Sequence, residues 1–179
     1  DPAQAFKGST GESKNIRLLD KMCIHYNTLQ FFNQYTVSQA EGAAHDNRYD
    51  VTILVNGLPL VHVELKRRGV AIREAFNQIN RYKRDSFWAG SGLFDYVQIF
   101  VISNGTNTKY YSNTTRLVHI KDFNSSAARK RGKTSNSFEF TSFWADAKNR
   151  IIPDLMDFTK TFFAEATILN ILPKYCVFT

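Results

Sequence analysis

Tyr49-Asp-Val-Thr-Ile-Leu-Val-Asn-Gly-Leu-Pro-Leu-Val-His-Val-Glu-Leu-Lys66 is the stretch whose reading decides the fold. Two apolar-rich runs, Tyr49 to Val55 and Leu58 to Lys66, flank Asn56-Gly57, a strong signal for a β-hairpin. The odd positions Val51, Ile53, Val55, Val61, Val63 and Leu65 are all apolar. The even positions Asp50, Thr52, Leu54, His62, Glu64 and Lys66 are mostly polar. Side chains alternate faces along a strand, so each strand has one core face and one mixed face. A two-residue loop would pair Val55 with Leu58 and split the polar set across both faces. A three-residue loop, Val55-Asn56-Gly57 with Gly57 left-handed, pairs Leu54 with Leu58 and keeps even with even. A one-residue slip would turn the apolar set to the wrong face, so burial is expected to select the second register.

Outward from the hairpin, Val70 to Asp85 carries Ala71, Ala75, Gln78, Ile79 and Tyr82 on one stripe and reads as a helix. Asp95 to Ser103 is a near-continuous apolar run expected of a buried strand, and Lys109-Tyr-Tyr111 opens another after the Asn104-Gly105 turn. Upstream, Ile16 to Phe32 has apolar residues near helical spacing. Downstream, Phe143 to Phe163 does too, with a break at Pro153. Asp1 to Lys14 reads as a flexible lead-in and Asn124 to Asn136 as a basic loop. Interleaved strands and helices give one α/β domain over residues 1–179, with a mixed central β-sheet flanked by helices.

Composition narrows the function classes. The chain has 179 residues with 43% hydrophobic and 22% charged, a globular balance that argues against intrinsic disorder. No apolar run approaches a membrane span and no signal-peptide pattern opens the sequence. Cys23 and Cys176 stand far apart without a CxxC, so neither a disulfide framework nor a zinc cluster is expected. A reducing compartment follows, with both cysteines as small apolar fillers. Lys and Arg number 23 against 16 Asp and Glu, a formal net charge of +7 that favours an anionic partner, nucleic acid first.

The mixed face of the hairpin carries the chemistry. Asp50 and Glu64 converging at a sheet edge could hold a hard divalent cation such as Mg²⁺, with the Leu65 carbonyl as a possible third ligand. Lys66, two residues beyond Glu64, points the same way and could orient or deprotonate an attacking water. An ordinary solvated strand face is the competing reading. Gln78 and Tyr82, four apart on the following helix, share a face and could hydrogen-bond the site or a phosphate. Arg67, Arg68, Arg73, Arg81, Lys83 and Arg84 crowd the same neighbourhood and could contact DNA phosphates. Gly132-Lys133-Thr134 lacks the upstream glycine of a phosphate loop, so no ATP-binding site is expected. His25, His45, His62 and His119 show no metal-ligand spacing, and of these His62 falls on the mixed face.

The order Asp50, Glu64-Leu65-Lys66, Gln78-Ile-Asn-Arg-Tyr82 resembles the PD-(D/E)xK nuclease superfamily with the QxxxY motif of its RecB-like branch. More closely, Asn47 to Val61, Glu64 to Lys66, Arg68 to Ile79 and Phe100 to Thr106 are similar to the N-terminal nuclease region of the restriction (R, motor) subunit of type I restriction endonucleases. The resemblance runs from about Tyr49 to the end. It implies a restriction-endonuclease-like core, Asp50 and Glu64 as Mg²⁺ ligands, Lys66 as the catalytic lysine, and Gln78 and Tyr82 in support. It also implies a metal-dependent endonuclease of double-stranded DNA in the cytoplasm of a bacterium or archaeon. Helicase-like motor domains that use ATP, and methylation and specificity subunits, would be its partners. Upstream sequence in this family can add a further acidic residue, for which Glu12 and Glu41 are candidates. The alternative is a non-catalytic nucleic-acid-binding or interdomain docking module of the same fold.

Overall fold

The computed structural model describes residues 4–7, 13–16, 19–20, 22–90, 92–113 and 138–175. At its centre is a five-stranded sheet in the order β3-β4-β5-β6-β7, formed by Leu29–Val37, Asn47–Val55, Leu58–Leu65, Ile99–Ser103 and Thr108–Ser112. All neighbours are antiparallel except β5 and β6, which run parallel. Parallel neighbours need a crossover, and helix α1 (Arg73–Asp85) supplies it. This mixed sheet with flanking helices is the α/β arrangement expected from the sequence. Within the expected lead-in, β1 (Gln4–Lys7) pairs antiparallel with β2 (Ser13–Ile16). The basic loop at 124–136, with Lys133, lies outside the described residues, as do Glu12, His119 and Cys176.

The hairpin reaches the expected parity by a different route, and the expected Leu54/Leu58 pair does not form. Val55 pairs with Leu58 across a two-residue Asn56-Gly57 turn, not the three-residue loop. Both turn residues are left-handed, at φ 51° and 85°, as a tight turn matching strand twist requires. The Asn56 side chain holds that conformation: its Oδ1 accepts from the Thr28 N–H at 2.8 Å and its Nδ2 donates to Asn27 Oδ1 at 2.9 Å. The register is corrected inside the ladder, where Leu54 faces Pro59 but Ile53 faces Val61. Leu60 is therefore the extra residue of a β-bulge, and its side chain is fully buried. Beyond the bulge, odd residues face odd and even face even.

Both faces of the sheet are covered. On the odd face, Ile53, Val61, Val63, Ile99 and Val101 pack against Phe158 and Phe162 of α2 (Leu155–Phe162) and Ile168, Leu169 and Leu172 of α3 (Glu165–Tyr175). On the even face, Phe100 and Ile102 pack under Ala75, Phe76, Ile79 and Tyr82 of α1. The mixed face of the hairpin is thus not solvated: Thr52, His62 and Glu64 are all buried beneath α1.

Two expected helices are corrected. Among the described residues of 16–32, Ile16 ends β2 and Ile24–Tyr26 forms a 3₁₀ turn before β3 begins at Leu29. Asp20 Oδ1 takes the Met22 and Cys23 N–H groups and Asn27 Nδ2 caps the Ile24 carbonyl, a local alternative to helix. The aromatic, β-branched run that follows pairs with β4 from Leu29/Val55 to Val37/Asn47. In the second segment, Asp146 captures the N–H groups of Lys148 and Arg150 and closes a turn bridged by Ala145 and Ile151. Only Leu155–Phe162 remains helical, started by Asp154, whose Oδ1 accepts from Met156 and Asp157. Helix α1 begins at Arg73, so Ala71 lies before it and is exposed. Cys23 is exposed, not an apolar filler.

Phe158 is fully buried and its ring stacks on Phe162 at 4.7 Å. Phe158→Ala is expected to lower unfolding free energy by about 3–5 kcal/mol, a large part of a typical domain's stability. Urea unfolding monitored by circular dichroism would measure it.

Candidate active site

The antiparallel ladder between β4 and β5 ends at the pair Val51/Val63. Past it the strands part, and Asp50 fills the opening: its Oδ2 accepts the Leu65 N–H at 2.8 Å. On the other side of β4, the pair that would join Asp50 to Gln34 is missing from the β3 ladder, and Gln34 has φ 54°. The strands turn over here. Phe31, Val51 and Ile53 line the α2 side, whereas Tyr35 and Tyr49, also odd, pack with Phe94 on the α1 side. Strict alternation fails at Asp50, and this break directs its carboxylate into a cleft of about 320 Å³.

That cleft is lined by Asp46, Asn47, Arg48, Asp50, Glu64, Leu65, Lys66, Gln78, Arg81 and Tyr82. The two carboxylates, the lysine, the glutamine and the tyrosine singled out in the sequence therefore meet in one place. Arg81 joins them at the rim, its guanidinium 5.6 Å from the centre of the Tyr82 ring. Arg67 and Arg68 are exposed beyond the end of β5 and do not line the cleft. The Arg68 side chain passes over Gly105, where an added Cβ would stand 3.4 Å from it. Other cations of the basic neighbourhood are spent on packing. Arg73 lies 4.5 Å over Phe138, and Lys83 lies 4.4 Å over Phe100, its ammonium pushed down to about 7 by burial. Glu41 caps a 3₁₀ turn through the Ser38 N–H and is no part of the cleft, and His25 and His45 are exposed.

A chain of hydrogen bonds organises the interior. Lys66 Nζ donates to Glu64 Oε1 at 2.8 Å and to Gln78 Oε1 at 2.6 Å. Gln78 Nε2 donates to the Tyr82 hydroxyl, which donates to the Arg48 carbonyl at 2.9 Å. The four-residue spacing of Gln78 and Tyr82 is what lets one helix face reach both Lys66 on β5 and the backbone of β4. Arg48 could not be anticipated, because it contributes a main-chain carbonyl and any residue but a misplaced one would carry the same atom. Glu64 is fully buried, and its Oε2 has no hydrogen-bond partner.

The electrostatics of the cleft are set by its two carboxylates and Lys66. Burial pushes the Asp50 carboxyl above its usual range; the Leu65 N–H pulls it back and the neighbouring Glu64 charge raises it further. Two hard oxygen donors with one free buried oxygen suit a cation that keeps several waters. Among the described residues no cluster of three or more His, Cys, Asp or Glu is assembled, so any metal here would rest on a carboxylate pair.

Two outcomes follow from this geometry. A carboxyl raised in the folded state binds protons more readily there than when unfolded, so its contribution favours folding at low pH and is lost as pH rises through the raised value. Asp50→Asn keeps an acceptor for the Leu65 N–H and removes that penalty. In the presence of a chelator its melting temperature should equal or exceed that of the unaltered protein at neutral pH, with the gain vanishing on acidification. Tyr82→Phe, by contrast, strips partners from Gln78 and from the Arg48 carbonyl. It should destabilise the domain by about 1–3 kcal/mol, measurable in the same melts.

Residues 2–119 match the family described as type I restriction enzyme R protein N terminus. Over 178 residues the chain is 51% identical to the type I restriction enzyme EcoprrI endonuclease subunit of Escherichia coli, covering 99% of this chain and 50% of that protein. It is 40% identical over 151 residues to the SsaAORF53P endonuclease subunit of Staphylococcus saprophyticus, covering 84% of this chain and 14% of that protein. An archaeal relative, the putative type I restriction enzyme MjaIXP endonuclease subunit of Methanocaldococcus jannaschii, is 30% identical over 109 residues, 59% of this chain and 10% of that protein. The chain thus spans half or less of the length of these relatives. The match takes in β4, β5 and α1, the elements that build the cleft, and on this extent of similarity the chain belongs to the family of type I restriction enzyme R protein N-terminal regions.

Proposed function

We propose that this chain is the nuclease region of a type I restriction enzyme R subunit and hydrolyses phosphodiester bonds of double-stranded DNA. The observation that carries the reading is Lys66 Nζ held between Glu64 Oε1 and Gln78 Oε1 in the cleft that Asp50 enters. Asp50 and Glu64, with the Leu65 carbonyl, would hold Mg²⁺, which when bound lowers the pKa of a water and offsets charge developing on the phosphate. Lys66 has three ammonium donors; two are given to Glu64 and Gln78, and the third is available to orient a water or a phosphate oxygen. Gln78 and Tyr82 keep the lysine in place by tying it to the β4 backbone. Arg81 at the rim, and Arg67 and Arg68 beyond it, supply positive charge for the DNA backbone.

Sequence choice is assigned to the specificity and methylation subunits. ATP-driven translocation is assigned to helicase-like motor domains in the rest of the subunit. Among the described residues no helix is long and apolar enough to cross a membrane.

The test is made in the whole R subunit assembled with its partner subunits. Lys66→Ala should reduce double-strand cleavage by about 10²- to 10⁴-fold, the range for a positioned acid–base group, and Asp50→Asn and Glu64→Gln, which remove ligands of the metal, by at least as much. ATP hydrolysis should persist. Undiminished cleavage in all three would support the docking-module alternative instead.

A further inference from the structure

His62 is fully buried on the α1 side of β5, two residues before Glu64. Its ring stands edge-on to Tyr49, Phe87, Tyr82 and Phe100, with centroids 5.5, 5.6, 6.0 and 6.4 Å away. This aromatic cage leaves the imidazole little freedom to rotate or withdraw. Neither ring nitrogen has a hydrogen-bond partner, although both are buried. Nε2 lies 3.6 Å from Glu64 Oε2, the carboxylate oxygen that is also buried without a partner. That separation is just beyond a hydrogen bond, and a shift of about 0.5 Å would make one. A buried polar atom left unpaired is costly, so these two atoms have a strong reason to close. On the neighbouring strand Thr52, the ladder partner of His62, carries another buried, unpartnered hydroxyl. Donation from it to Nδ1 would leave Nε2 as the protonated nitrogen.

We propose that His62 is a positioning residue for Glu64. Its Nε2–H holds Oε2 while Lys66 holds Oε1, so the carboxylate is fixed at both ends and presents its remaining lone pairs to a cation shared with Asp50. The inference rests on the metal reading of the cleft. Removing an outer partner of a metal ligand typically weakens metal affinity by about 10- to 100-fold.

The probe is Mn²⁺ binding to the 179-residue chain, followed by electron paramagnetic resonance and calorimetry, with melting temperature recorded for every variant. His62→Phe fills the aromatic cage without a donor. His62→Gln places an N–H near the position of Nε2, whereas His62→Asn places one near Nδ1, short of Glu64. Mn²⁺ affinity should fall about 10- to 100-fold in His62→Phe and His62→Asn and stay within about threefold of the unaltered chain in His62→Gln. Comparing the two amides keeps the test sharp even if the Phe variant fails to fold, since a merely structural role would not separate Gln from Asn at equal melting temperature. Equal affinity in Gln and Asn variants, both folded, overturns the positioning role. If the unaltered chain itself binds no Mn²⁺, the metal reading fails, and this inference with it.

Discussion

Glu64 is the constraint around which this structure is arranged. A carboxylate with no solvent exposure in the middle of a sheet face costs several kcal/mol in desolvation unless partners approach it closely. Lys66 is the principal partner, and it reaches back from the end of β5 because Gln78 on α1 holds the other side of its ammonium. Gln78 is itself held by Tyr82, and Tyr82 by the β4 backbone. One buried charge thereby links β4, β5 and α1. An interior ion pair of this kind is a weak source of stability, since well-packed hydrophobic residues would serve at least as well.

The fold supplies the opening that makes a site possible. A continuous β4–β5 ladder would bury Asp50 within a sheet face and satisfy Leu65 through the backbone. The ladder instead stops at Val51/Val63, the β3 partner of Asp50 is left unpaired at Gln34, and the Asp50 carboxylate substitutes for the missing strand contact at Leu65. Irregularities of this type collect where a sheet re-aims a side chain. The cost is visible in the carboxyl itself, which burial and its acidic neighbour hold above the ordinary range. A carboxyl perturbed in this way is a frequent mark of a functional centre.

Charge composition alone would mislead about which cations line the cleft. Several cations that look in sequence like a phosphate-binding cluster are directed inward or across rings, as Lys83 over Phe100 and Arg73 over Phe138 show. A long side chain on a helix can cover apolar surface with its stem and still count as positive in any tally. Arg81 is the member of that cluster that remains at the cleft.

The sequence by itself determined the hairpin, the helix after it, the buried strand Ile99–Ser103 and the shared faces of Glu64 with Lys66 and of Gln78 with Tyr82, because each depends on spacing within a few residues. Alternation of period two brings Glu64 and Lys66 to one face, and a four-residue step brings Gln78 and Tyr82 to another. Tertiary structure alone decided the rest. The register was set by a bulge at Leu60 because the tight Asn56-Gly57 turn and the burial of the apolar face make opposite demands, which only a residue inserted in the ladder reconciles. Residues 29–37 became a strand because β4 offered an unpaired edge, although their upstream neighbours have helical spacing. The depth of His62 and Glu64 was equally hidden, since a polar residue on a strand reads as exposed until a helix is laid over it. Period and spacing are local quantities, whereas burial and the satisfaction of polar atoms belong to the whole packed molecule.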